Sequence, residues 1–75
     1  MSKLDYEKDF YDSGELMWEE WKLNGERHNE EGPAFIGYRR DGSVWWETWW
    51  LDGVKYSEEE WRDLVFRKAF EEQVL

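Results

Sequence analysis

The side chains able to do chemistry are few and scattered. His28 is the single histidine, followed two and three residues later by Glu30 and Glu31. A histidine beside carboxylates is a fragment of a metal site, but metals need three or four ligands in fixed geometry. A hydrogen bond to loop backbone fits His28 better. Glu19 and Glu47 form a second candidate, since paired carboxyl groups serve in glycoside hydrolysis. Both occupy the same position in a repeated segment, which speaks for a structural role such as salt bridges to Arg39 or Arg40. There is no cysteine, and Ser2, Ser13, Ser43 and Ser57 fall at the terminus, in turns or at a helix cap. No nucleophile, base and orienting group can be assembled. The chain is therefore expected not to be an enzyme, and to use no cofactor and no metal.

What remains is the chemistry of binding. Seven Trp, four Tyr and four Phe stand among 75 residues, and each aromatic ring buries on the order of 150–250 Å². A chain this short builds a thin core, so some rings should face a partner or a second copy. Trp45, Trp46 and Trp50 exceed what a small core can use and are the candidate anchors of a protein interface. Single-stranded nucleic acid also stacks on such rings, but within a basic groove; Arg39-Arg40 is the one adjacent pair of arginines here.

The net charge of −9 is unevenly spread: −6 over residues 1–31, zero over 32–57 and −3 over 58–75. Nucleic acid and anionic membrane surfaces are excluded as partners, because their affinity comes from cationic neutralisation. A partner protein with a basic surface is favoured. Asp5, Glu7, Asp9 and Asp12, together with Glu30 and Glu31, are candidates to imitate a phosphate backbone. Glu58, Glu59 and Glu60 belong instead to a helix start. No apolar run approaches membrane-spanning length, and the N-terminal MSKLDYEKDF is too acidic and polar for a signal peptide. The absence of cysteine suits a reducing compartment, so a soluble, cytoplasmic protein is expected.

These groups must be held by a repeated frame. Shifting the chain by 28 residues lays Gly14 on Gly42, Trp18 on Trp46, Glu19 on Glu47, Trp21 on Trp49, Leu23 on Leu51, Asn24 on Asp52 and Gly25 on Gly53. Such a period marks stacked supersecondary units. One domain, 1–75, is expected, with unit one about 4–31 and unit two about 32–59. Residues 4–12 alternate as a half-buried strand, with a short helix as the rival reading. Residues 15–23, 34–40 and 43–51 read as strands. Apolar bulk on both faces of 15–23 implies a sheet covered on both sides, or a bulge between Trp18 and Trp21. In 43–51, Trp45, Trp49 and Leu51 alternate with Val44, Trp46 and Trp50. Asn24-Gly25 and Asp52-Gly53 are hairpin turns, and Trp21 and Trp49 are expected to stack between units. Ser57-Glu58-Glu59-Glu60 is a capping box that opens a helix over about 58–73. Trp61, Leu64, Val65 and Ala69 form its apolar stripe, and Phe66 and Phe70 widen it towards a self-association surface. The expected class is mainly β (α+β): stacked antiparallel β-hairpin repeats in a twisted sheet, closed by one C-terminal α-helix.

The run Leu23-Asn24-Gly25-Glu26-Arg27-His28-Asn29-Glu30-Glu31-Gly32-Pro33-Ala34 resembles the W-x-x-N-G-x-x-H-R-x-D-G-P-A unit of MORN-like variant repeats, found in phage, giant-virus and bacterial proteins. The second copy, from Trp49 to Trp61, looks like a closing unit. Asn29 stands where the family has a basic residue, and the second copy lacks the His and Gly-Pro-Ala. The resemblance covers about residues 14–61 and implies stacked hairpins and a binding role. A small acidic chain of this type also looks like phage accessory proteins, anti-CRISPR-like inhibitors among them. That likeness implies a DNA mimic that occupies a basic surface of a host defence or nuclease protein in the bacterial cytoplasm. The alternative expectation is a structural self-associating module, a homodimer without inhibitory role.

Overall fold

The computed structural model describes residues 3–74. Its frame is set by four tight turns. Asn24 and Gly25 both take positive φ (52° and 84°), and Asp52 and Gly53 repeat this (49° and 79°). A type I′ turn needs that pair of values, and an Asn/Asp followed by Gly reaches them at least cost. At Tyr11–Glu15 and Arg39–Ser43 the chain turns back in the other two places, each closed by the same backbone hydrogen bond (2.8 Å).

Between the turns lie β1 (Leu4–Phe10), β2 (Leu16–Leu23), β3 (Glu26–Arg27), β4 (Phe35–Tyr38), β5 (Val44–Leu51) and β6 (Val54–Tyr56), followed by α1 (Glu58–Val74). All strand pairs are antiparallel, in the order β1-β2-β4-β5-β6, with β3 also paired to β2. β2 and β5 are offset by 28 residues end for end. Each pairs along one edge with the strand before it, β1 or β4, and has a hairpin return beyond its turn. The duplication reaches the irregularities: the ladder slips between Asp9 and Phe10, and again between Gly37 and Tyr38. The residues left without a partner are Met17 and Trp45, in the bulged strands β2 and β5. The bulge therefore lies before Trp18, not between Trp18 and Trp21. Those two rings face opposite ways because simple alternation holds between them.

The register defines two faces. On the front face lie Asp5, Glu7 and Asp9 of β1, Trp18, Glu20 and Lys22 of β2, then Arg27, Phe35, Trp46, Thr48 and Trp50. On the back face lie Tyr6, Lys8, Glu19, Trp21, Ile36, Tyr38, Glu47 and Trp49. α1 packs on β5 and β6, where Trp61 meets Trp49 on the back at 4.6 Å. Ser57 caps the helix as its residue type requires: its Oγ accepts from Glu60 N–H (3.1 Å), and Glu60 Oε1 accepts from Ser57 N–H (3.2 Å).

The core is slight. Among the described residues the buried apolar side chains are Ala34 and Trp61, and no large side chain is fully buried. Leu64 and Val65 are half-buried, while Ala69, expected on the apolar stripe, is exposed with Phe66 and Phe70. Only the first half of α1 rests on the sheet. β1 differs from expectation in the same way. Its apolar row faces solvent, with Leu4 78%, Tyr6 45% and Phe10 48% exposed, because the helix packs on β5 and β6 and leaves β1 uncovered.

Candidate functional site

The front face carries a continuous aromatic row. Trp18, Gly37 and Trp46 are cross-strand neighbours on β2, β4 and β5. Phe35 stacks between the two tryptophans at 6.0 Å from each, with ring planes 18° apart. The row depends on Gly37 having no side chain: a Cβ there would stand 3.0 Å from the Trp46 ring. Trp45, displaced by the bulge, meets Trp46 edge-on at 4.6 Å. It thus joins the neighbour from which strict alternation would separate it. Trp45 and Trp46 are 58% and 43% exposed, and the contacts of α1 are with the opposite face.

One end of the row is polar. The Arg27 guanidinium lies over Phe35 (4.6 Å) and Trp50 (5.2 Å), and its Nε donates to Glu20 (2.6 Å). Lys22 also approaches Glu20 at 3.6 Å. Trp50 donates its Nε1–H to Thr48 Oγ1 (2.8 Å). These bonds satisfy the half-buried groups. The other border is β1, where Asp5, Glu7 and Asp9 stand opposite Lys22, Glu20 and Trp18. Of the sequence candidates, Asp5, Glu7, Asp9, Trp45, Trp46 and Trp50 thus come together on or beside one face. Asp12 lies apart in the β1–β2 turn, and Glu31 is exposed in the β3–β4 loop. Phe66 and Phe70 are exposed one helical turn apart on α1.

Glu30 is held by two neighbours. It receives Lys68 Nζ (2.9 Å) and His28 Nε2 (3.1 Å), and the lysine, then the histidine, hold its carboxyl below the usual carboxylate range. His28, buried, accepts the Asp52 N–H on Nδ1 (2.9 Å). An accepting Nδ1 requires the proton on Nε2, which then donates to Glu30. The histidine therefore joins the first unit's loop to the second unit's turn. Its neighbours do likewise: Asn29 N–H reaches Trp50 O (3.1 Å), Gly53 N–H reaches Arg27 O (2.9 Å), and Trp61 Nε1–H reaches Asn29 O (2.8 Å). The Asn29 side chain closes the loop onto Glu31 N–H and Pro33 O.

Glu19 is not paired with arginine. It accepts from the hydroxyls of Tyr6 (2.5 Å) and Tyr38, which stand on the flanking strands of the same back face. Burial, then this hydrogen bond, pushes Tyr38 up to about 12; the bond to Glu19 raises Tyr6 as well. Arg39 and Arg40 turn instead to their own loop, to Ser43 and Val44, and to Ser13 and the Tyr11 ring. Trp21 and Trp49 share the back face but do not stack on one another: Trp21 meets Tyr6 (5.2 Å) and Trp49 meets Trp61. Sequence reasoning overlooked Phe35 and Arg27. The only signal for them was the parity that puts both on the Trp18 side once β2, β3 and β4 are paired.

Comparison with protein-family models, with curated proteins and with solved structures finds no match to this chain. The class that the coordinates define is an open antiparallel sheet of duplicated hairpins with one C-terminal helix. Among the described residues no helix is long and apolar enough to cross a membrane.

Proposed function

We propose that the chain is a non-catalytic binding module whose front face docks on a basic surface of another protein. On this reading it is a phage-encoded inhibitor that covers the nucleic-acid-binding surface of a host defence or nuclease protein, in the cytoplasm of the infected cell. The reading rests chiefly on the aromatic row Trp18–Phe35–Trp46–Trp45, exposed at Trp45 and Trp46 and bordered by the acids of β1. Aromatic anchors supply most of the energy of protein interfaces. The acidic border adds steering towards a positive partner. The likeness to MORN-like variant repeats agrees with a binding role and names no partner.

Affinity capture from bacterial lysate tests this. The wild-type chain should retain a defined basic protein that salt releases, and the Trp45→Ala/Trp46→Ala double variant should lose it. Recovery of nothing at any salt, or equal recovery by the variant, contradicts the proposal.

A second reading is self-association without an inhibitory role. The observation in its favour is the exposed Phe66–Phe70 pair on α1, which a second helix could cover.

A further inference from the structure

β1 is an edge strand of seven residues, and its outer side is unpaired among the described residues. The direction of its backbone groups follows from two hydrogen bonds on β2. Asn24 N–H reaches Lys3 O, on the β1 side, while Trp21 N–H reaches Ala34 O, on the β4 side. In an antiparallel ladder the bonded side alternates residue by residue. Lys22, Glu20 and Trp18 therefore bond inward to Asp5, Glu7 and Asp9. The N–H and C=O groups of Leu4, Tyr6 and Lys8 are left pointing outward. The open stretch stops at Phe10, whose N–H is taken by Asp9 Oδ1 (2.8 Å).

The two rows of side chains along this edge differ in kind. Asp5, Glu7 and Asp9 stand on the front, and Leu4, Tyr6 and Phe10, with Lys8, stand on the back. A strand added outside β1 would place its front residues opposite the acids at non-hydrogen-bonded positions, where side chains approach most closely. Its back residues would meet the exposed Leu4 and Tyr6. A second copy of β1 does not suit: two antiparallel copies set acid against acid on the front in each two-fold register that pairs the outward groups, and directly opposed like charges destabilise.

We infer that the free edge of β1 is a strand-addition site for an extended segment of a partner protein in which Lys or Arg alternates with apolar residues. This rests on the proposed binding to a basic partner and names the element recognised. Backbone hydrogen bonds supply the affinity and the alternating side chains supply the selection. The other border of the sheet, β6, offers only three residues and none of this charge pattern.

The probe is a capped synthetic peptide of four Lys-Val repeats, compared with an isomer that groups the four lysines at one end. The alternating peptide should bind at low salt and slow amide exchange at Tyr6 and Lys8 by about tenfold or more. The block isomer, and the alternating peptide N-methylated at the residues facing β1, should bind at least about tenfold more weakly. Lys8→Pro tests the same edge from within the chain. Proline is tolerated where an edge strand's N–H faces solvent, so the fold should persist and the peptide be lost, while Lys8→Gln should retain it. Equal binding of both isomers without protection of Tyr6 and Lys8 overturns the inference, and leaves binding to a basic partner standing as a diffuse charge effect. Binding of neither isomer overturns it as well, and assigns the β1 charges to guarding the edge against strand addition. Lysate capture then judges the binding reading separately.

Discussion

At the scale of single residues, His28 joins the two repeats through one nitrogen on each side. Replacing it with alanine leaves the Asp52 N–H without its acceptor and Glu30 without one donor. Loss of a half-satisfied buried group costs about 1–3 kcal/mol, and each kcal/mol lowers Tm by about 4–8 °C in a domain of this size. Thermal unfolding of His28→Ala, followed by tryptophan emission, should show a drop of about 4 °C or more. Tyr38 gives a pH test. Its folded value of about 12 stands above the ordinary 10.0, so the folded state holds the proton more tightly. That stabilisation is complete below pH 10 and is lost as pH rises towards 12. Wild type should therefore lose its margin over Tyr38→Phe across this window, measured by urea unfolding at each pH. Glu30 works in the opposite sense. Its lowered value contributes stability above the usual carboxylate range, and that contribution fades as acid protonates it.

At the scale of elements, the bulge pair and Gly37 fix where the rings go. A methyl group at Gly37 meets the Trp46 ring at 3.0 Å. Gly37→Ala should displace that ring, shift its emission, and cost about 1–3 kcal/mol in unfolding experiments. Ser57→Ala removes one capping bond and should cost about 1 kcal/mol, with the aromatic row unaffected. The cap and the Asn24-Gly25 and Asp52-Gly53 turns were legible in the sequence because each depends on a few adjacent residues. So was the strand order of type, sheet then helix. The bulges at Met17 and Trp45 were not legible, since they arise where β1 and β4 pair with strands beyond a turn. Strict alternation consequently put Trp45 on the wrong side. The Tyr6–Glu19–Tyr38 group was missed for a related reason: three strands must be in register before the two hydroxyls meet one carboxylate. Phe66 and Phe70 lie exposed beyond the sheet contact. Nothing local, however, showed that Ala69 would leave the sheet with them.

At the scale of the whole molecule, the chain is spread more widely than its size requires. Its radius of gyration is 14.2 Å, against about 11 Å for a compact domain of equal length. It exposes 5691 Å², where a folded monomer of its mass exposes about 5,000 Å². The excess is the open sheet: among the described residues, the front rings have no covering layer and the β1 edge has no neighbour. Trp46→Ala should accordingly cost little stability, about 1 kcal/mol from lost ring contacts, yet weaken capture of the partner. The account requires these surfaces to remain open in the isolated chain, available to a different protein rather than closed by a second copy. Light scattering across rising protein concentration measures this most directly. The account predicts the monomer mass of 9.3 kDa throughout. A stable mass of twice that value would contradict it and give the aromatic surfaces to self-association.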